Sequence, residues 1–313
     1  MTPRQVSLLA ALSAIWGGSY LLIKYALEDL SAPVIVFGRC VIASLVLLVA
    51  LRATGGRAAP AGALADLRRR PATALLLGAI AVAIPFTLIT LGEHTVPSGL
   101  TAVLISPASL FVALFAPFID VSERIDRRQG IGMVVGLGGV ALVVGIESVQ
   151  TLGELLGALA MIGAAMSYAL SSFVVKRAYG RLTSMQTSFV SITVAGVLLL
   201  PAAVATAPSS LPGTRAALAV LALGAIGTAL AFVIFYRLIA EVGAGRASLV
   251  SYLAPGVALL YGALLLDEPI TFAAIAGLAL ILGGVALASG RRGRGDAPAP
   301  IEVAPPEPAP AAR

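Results

Sequence analysis

The chain has 313 residues, 59% of them hydrophobic, only 12% charged, and a formal net charge of +6. An ordinary soluble domain is about 25% charged, so this sequence has too little polar surface to coat a compact particle in water and reads as a polytopic membrane protein. One cysteine (Cys40) and one histidine (His94) exclude a disulfide framework and a Cys/His metal cage.

A bilayer core about 30 Å thick takes about 20 mostly apolar residues per helix. Ten such runs occur in order: residues 7–27, 33–51, 72–92, 96–119, 130–146, 153–174, 185–204, 216–237, 243–266 and 270–289. Arg4 ahead of the first run could be the basic start of a signal peptide. The run continues through Trp16, Gly17 and Gly18 without a clear cleavage site, so it is kept as a helix. Pro33, Pro71, Pro97 and Pro269 stand at or just before helix starts, where a missing N–H costs nothing. Residues 52–70 read as a basic loop. Residues 291–313, basic and then Ala/Pro-rich, read as a disordered cytoplasmic tail.

Lys and Arg set the orientation. With the N-terminus in the cytoplasm, 18 of the 21 basic residues fall on the inside, and the other three are Lys24, Arg39 and Arg215. Outside segments instead carry Glu28, Asp29, Glu93, Glu147, Glu154, Asp267 and Glu268. Both termini are therefore expected to be cytoplasmic, in a multi-pass protein of the cell inner (plasma) membrane. The basic balance then needs no nucleic acid.

The two halves repeat. Gly138-Gly139-Val140-Ala141-Leu142 recurs as Gly283-Gly284-Val285-Ala286-Leu287 at an offset of 145, with Glu123 matching Glu268 and Gly132 matching Gly277. Pro107 matches Pro255 at 148; Ser19 matches Ser171 and Lys24 matches Lys176 at 152. Five helices per half is an odd number, so the second half enters from the opposite side. The expected fold is all-α integral membrane, with ten transmembrane helices in two inverted five-helix repeats around a central cavity. Its units are residues 1–146 and 147–290. Inverted repeats are characteristic of secondary transporters.

These pieces resemble the drug/metabolite transporter superfamily in its EamA-type branch. The resemblance rests on Trp16-Gly17-Gly18-Ser19, Phe37-Gly38-Arg39, the prolines Pro107 and Pro255, and the junctions Ser122-Glu123-Arg124-Ile125-Asp126 and Asp267-Glu268-Pro269-Ile270-Thr271. The family usually has Gly-Glu where this chain has Ser-Glu and Asp-Glu, which bears on how the helix starts and not on substrate. In length and layout the bacterial amino-acid exporters, including the aromatic amino-acid exporter, look closest. What the resemblance implies is export of amino-acid-like metabolites with broad specificity by alternating access. Other small metabolites or drugs are the alternative cargo, and an intramembrane enzyme is a remote alternative.

Trp16, Tyr20 and Lys24 share one helix face at i, i+4, i+8, and Tyr168, Ser172 and Lys176 repeat the pattern. Trp and Tyr supply apolar area plus a donor, which suits an amino-acid-sized solute. Aromatic packing and lysines snorkelling at helix ends explain the same residues. Arg39 lies about 9 Å down its helix at 1.5 Å per residue. It could ligate a substrate carboxylate, or pair with Glu28, Asp29 or Glu93, or bond helix carbonyls. Among the hydroxyls, Thr87, Thr90, Thr228 and the pair Ser248 and Tyr252 could bond substrate or merely neighbouring helices. Pro107 and Pro255 are candidate hinges or simple kinks. Gly132 to Gly136 and Gly153 to Gly157 are GxxxG packing motifs, and the dinucleotide-like Gly136-Leu137-Gly138-Gly139 lies inside an apolar run. His94 beside Glu93 could sense pH, but a solvated loop histidine explains it as well.

Neither lysine, Lys24 nor Lys176, follows a glycine, which excludes a Walker A loop. No Asp or Glu falls near the middle of a run. Transport is therefore expected to follow gradients, or to be coupled through peripheral groups such as Glu93 or Glu268. No cofactor or metal is expected. The expected partners are a small-molecule substrate and the lipid bilayer. One chain carries both halves, so a monomer suffices.

Overall fold

In a bilayer, nothing outside an apolar segment can satisfy its N–H and C=O groups, so the segment closes its hydrogen bonds within itself. The computed structural model, which describes residues 1–56, 58–119, 126–146, 151–178, 182–247 and 249–289, obeys that rule: the described residues form helices and no strand. In chain order they are α1 (Pro3–Leu27), α2 (Ala32–Gly55), α3 (Ala58–Arg69), α4 (Pro71–Gly92), α5 (Ser98–Ile119), α6 (Arg127–Ile146), α7 (Leu152–Ala178), α8 (Ser184–Ala205), α9 (Thr214–Val242), α10 (Val250–Leu265) and α11 (Phe272–Ser289). Eight of them are long and apolar enough to cross a membrane; α10 and α11 are apolar but shorter. The expected tail, 291–313, and the junction Ser122-Glu123-Arg124-Ile125 lie outside the described residues.

Residues 52–70, expected as a loop, instead contain α3. Five alanines favour helix there, Pro60 and Ala63 are buried, and Arg68 and Arg69 occupy the last turn, where cations complement the helix dipole. Gln186 Nε2 fastens α3 by donating to the Ala59 carbonyl at 2.8 Å. Four helices start in reciprocal caps that the sequence spells as a polar residue with Glu or Gln three positions later. They are Thr2 with Gln5, Asp126 with Gln129, Thr151 with Glu154, and Thr183 with Gln186.

Contacts between chain-distant residues fix which helix ends lie together. At the end that carries the N-terminus, Arg4 and Arg237 reach Glu241 at 3.9 and 2.9 Å. The opposite, far end is closed by a series of latches. Lys24 Nζ donates to the Glu93 carbonyl. Ser31 and Thr206 hydroxyls meet at 2.8 Å, and the Gly213 N–H donates to Asp29 at 2.8 Å. Arg215 pairs with Glu28 at 3.2 Å and lies 3.7 Å over the Tyr25 ring. Glu268 accepts from the Ser98 N–H, the Ser98 hydroxyl and the Gly99 N–H at 2.8, 2.9 and 3.1 Å. A carboxylate thus caps the first turn of α5 from the start of α11, where the helix dipole favours it.

Lipid is as apolar as leucine, so helices associate through close packing, and small residues permit it. α6 and α11 form the closest seam. A Cβ on Gly132 would stand 2.6 Å from the Gly284 carbonyl, and one on Gly139 would stand 2.7 Å from the Gly277 carbonyl. The two contacts are the same contact twice, because Gly277 is Gly132 plus 145 and Gly284 is Gly139 plus 145. The other packings pair off likewise: α1 lies against α9 and α10, while α7 lies against α4 and α5, and α2 meets α8. Gly157, in the second GxxxG motif, seats α7 on α4, a Cβ there falling 3.1 Å from the Gly92 carbonyl. The dinucleotide-like glycines are ordinary turns of α6.

Both α4 and α9 widen into π-helix, at Ala79–Ala83 and Leu223–Leu230. The candidate hinges differ. α5 is interrupted at Ser106-Pro107, whereas α10 runs unbroken through Pro255.

Stability in detergent, read as apparent Tm and monodispersity, is expected to change in two ways. Gly132→Val and Gly277→Val are each expected to lower the Tm, overpacking of this kind costing about 1–3 kcal/mol. Gly138→Ala and Gly283→Ala, with nothing within 4 Å of the added carbon, are expected to leave it unchanged. Glu268→Ala removes three accepted bonds and is expected to cost about 1–3 kcal/mol, with Glu268→Gln intermediate.

Candidate functional site

Arg39 is buried in the bundle, about two turns into α2. Its Nε donates to the Thr228 hydroxyl at 2.6 Å, and its guanidinium carbon lies 4.0 Å from the centre of the Phe86 ring. Thr228 passes the bond on, donating to the Leu223 carbonyl at 2.8 Å inside the π segment of α9. α2 and α9 run almost backbone to backbone here, a Cβ on Gly224 falling 3.0 Å from the Arg39 carbonyl. The three carboxylates that could have neutralised Arg39 are all placed otherwise. Glu28 holds Arg215, Asp29 caps α9 through Gly213, and Glu93 makes no ion pair. Among the described residues no hydrogen-bond partner meets the two terminal nitrogens of Arg39, so the fork that grips carboxylates stands open.

Tyr20 on α1 and Tyr168 on α7 stand within electrostatic reach of Arg39 and of each other. Each tyrosine is partly buried. Tyr20 and Tyr168, one from each half, both stand near Arg39. Trp16, one turn back along α1, has its ring edge-on to Phe232 at 6.4 Å and tilted on Phe235 at 5.3 Å. It rests on a cluster of Leu9, Leu12, Leu238, Ala247 and Val250 that fills the N-terminal end of the bundle.

The hydroxyls divide. Thr90 is buried and spends its proton on the Phe86 carbonyl at 2.8 Å, one turn back in its own helix. Thr87 has a buried hydroxyl with no partner. Ser172 does not join the group: it is exposed, where α7 runs along the outside of the bundle, and donates to the Ala169 carbonyl at 2.7 Å. Tyr252 is half-buried against the core cluster that also takes in Tyr20 and Tyr168. Ser248, its expected companion, lies outside the described residues.

Glu93 departs furthest from expectation. Its place at a helix end predicts a peripheral residue, but it is fully buried, and neither carboxylate oxygen has a hydrogen-bond partner among the described residues. The cause is coverage: α1 extends to Leu27 past it, and Gly157 and Met161 of α7 pack against Gly92. Its neighbour His94 is exposed. A separate cavity of about 170 Å³ opens at the far end beside Glu268, lined by Thr95, Gly99, Glu154, Leu259 and Thr271, and shares no residue with the Arg39 group. Among the described residues no cluster of His, Cys, Asp or Glu could hold a metal ion.

Comparison with known proteins places the chain among transporters. An uncharacterized inner membrane transporter of Escherichia coli K12, YedA, is 28% identical over 261 residues, covering 81% of this chain and 80% of its own. The uncharacterized transporter YvbV of Bacillus subtilis is 25% identical over 290 residues, covering 91% of each. A probable terminal-alkyne amino-acid exporter of Streptantibioticus cattleyicolor is 27% identical over 284 residues, covering 88% of this chain and 90% of its own. A solved crystal structure superposes with a TM-score of 0.63 at 20% identity, over 92% of this chain and 97% of that one, which shows a shared fold. The three named relatives carry the names of transporters, in line with the resemblance read from the sequence. The pattern of the EamA-like transporter family matches residues 4–145 and again 155–290; the chain is a multi-pass membrane protein and belongs to that family.

Proposed function

We propose that this transporter exports small amino-acid-like metabolites across the inner membrane by alternating access, with Arg39 holding the cargo's carboxylate. The observation that carries the reading is the open fork of Arg39. A buried guanidinium without a counter-ion is costly, and a carboxylate ligand relieves that cost by a bidentate, charge-assisted bond. Tyr20 and Tyr168 flank the fork with aromatic surface and hydroxyls, and Phe86 and Thr228 hold its plane. Of the named relatives, the probable terminal-alkyne amino-acid exporter is the one whose cargo carries such a carboxylate.

In this reading α10 and α11 also cross the bilayer, giving ten spans, and the units 1–146 and 147–290 are inverted repeats. The reciprocal glycine contacts of the antiparallel α6 and α11 support it, since a two-fold relating antiparallel helices lies across their axes, in the membrane plane. The family pattern matching each half supports it too. The basic residues put the N-terminal end in the cytoplasm, so the latched far end faces outward and the conformation is closed to the outside. The differing hinges fit one exchange of states: Pro107 breaks α5 here, and on rocking the break passes to Pro255.

Counterflow in proteoliposomes with each common amino acid in turn is expected to reveal exchange of several of them. Arg39→Gln is expected to raise KM about tenfold to a hundredfold, the loss of a charged hydrogen bond being about 1.5–3 kcal/mol. Arg39→Lys, which keeps the charge and loses the fork, is expected to recover little of it. Exchange equal to wild type in Arg39→Gln would sink the carboxylate assignment. Tyr20→Phe and Tyr168→Phe, which keep the rings, are expected to cost less than Arg39→Gln, and equal losses would point to the hydroxyls as the principal ligands.

A further inference from the structure

Glu93 is a carboxylate that the cargo reading leaves without a task. It is wholly out of solvent, and both oxygens lack a partner among the described residues. An ionised carboxylate in that position, unpaired and dry, is one of the least favourable arrangements a protein can hold. Lys24 relieves it only in part: its charge acts on the carboxyl from nearby, but its ammonium bonds the backbone carbonyl of Glu93 and, among the described residues, makes no ion pair with the side chain. The charges bearing on the carboxyl are Lys24 on α1, Arg39 on α2 and Glu268 at the start of α11. Tyr20 on α1 also faces it, and α7, packed along the outer half of α4, brings Tyr168 toward Tyr20 and Arg39 and carries Glu154 in its first turn. His94, next along its own segment, is exposed.

We propose that Glu93 is a proton-binding site on which a proton and the cargo's ammonium group alternate, so that export of one cargo molecule is coupled to entry of one proton. The inference rests on the amino-acid reading above, because it needs cargo with a positive group to displace the proton. With the far end latched and no cargo present, Glu93 is a neutral acid. An arriving zwitterion offers its carboxylate to Arg39 and its ammonium to Glu93; the acid proton leaves to the cytoplasm, and the carboxylate and ammonium neutralise each other. Once the latches part, the cargo departs outward and a proton from outside takes its place. Burial enforces the exchange, since an empty, ionised Glu93 cannot be closed inside the bundle. Arg39 and Glu93 are then the two poles of one zwitterion site.

The test uses the full chain. Infrared spectra of cargo-free protein at neutral pH are expected to show the carbonyl stretch of a protonated carboxylic acid, absent in Glu93→Gln and shifted in Glu93→Asp. L-phenylalanine, L-leucine and L-alanine are then added singly to lightly buffered protein. Those that bind are expected to release one proton each, and 3-phenylpropionate, which lacks the ammonium, none. Their apparent affinity is expected to rise about tenfold per pH unit on the acid side, where protons compete, and to lose that slope in Glu93→Gln. If Glu93→Gln folds poorly, Glu93→Asp carries the test, since it keeps a titrating acid with a shifted slope. Two results overturn the proposal: no acid band that depends on Glu93, or binding with neither proton release nor pH slope. If the band is present but none of the amino acids binds or exchanges, the cargo reading falls while the proton site stands, so the two failures are distinguishable.

Discussion

A guanidinium set two turns inside an apolar bundle, with no carboxylate beside it, constrains everything near it. The chain meets that constraint with partners that are neutral. Phe86 offers the negative face of its ring, and the Thr228 hydroxyl accepts from Nε. Thr228 can do so because its own proton goes to the Leu223 carbonyl, five residues back, a partner that the wider turn of the π segment supplies. Charge is kept, and in the proposed reading neutralisation is left to the cargo. Had Glu28 or Asp29 reached Arg39, the site would be a structural ion pair. Both are instead spent on the far-end latches, where they hold Arg215 and the first turn of α9.

The latches and the seam divide the mechanical work. Contacts at the far end are hydrogen bonds and ion pairs, several of them between exposed or half-exposed groups that break at small cost, with the three bonds onto Glu268 the strongest. The α6–α11 seam is a run of backbone contacts through glycine that has little freedom to slide. In the proposed rocking, the helices that part and the helices that stay together are thus built from different chemistry. At the N-terminal end Trp16 sits on leucine, alanine and valine with aromatic neighbours, a closure that is apolar where the far end is polar.

Much of this was legible in the residues. Hydrophobic length marked the helices, and offsets of 145 between glycines marked the repeat that the α6–α11 seam reflects. Arg39 stood out because charge inside an apolar run is rare, and Tyr20 and Tyr168 because each begins or continues a stripe. Three features were not legible, for distinct reasons. The π segments, where α4 meets α7 and α8 and α9 meets α1 and α2, carry no local signature. α3 hid behind its arginines, although its alanines gave a fair helix signal. Phe86 is one of many apolar residues in its run, and only the position of Arg39 across the bundle gives it a role.

Glu93 shows the deeper limit of reading one run at a time. A window of hydropathy ends at its first charge, so a carboxylate after Gly92 is assigned to the interface by construction. Depth belongs to the assembly: α1 and α7 extend beyond the end of α4 and bury the residue that comes next. The two charges then differ in kind. Arg39 cannot shed its proton in any ordinary range, so it awaits an anion, whereas Glu93 can be made neutral by taking a proton. In the proposed site either filling, a proton on Glu93 with Arg39 held by its ring and hydroxyl or a zwitterion across both, leaves no bare carboxylate closed inside the bundle. A bundle that closes readily on either filling, and poorly on neither, has the preference that coupling needs.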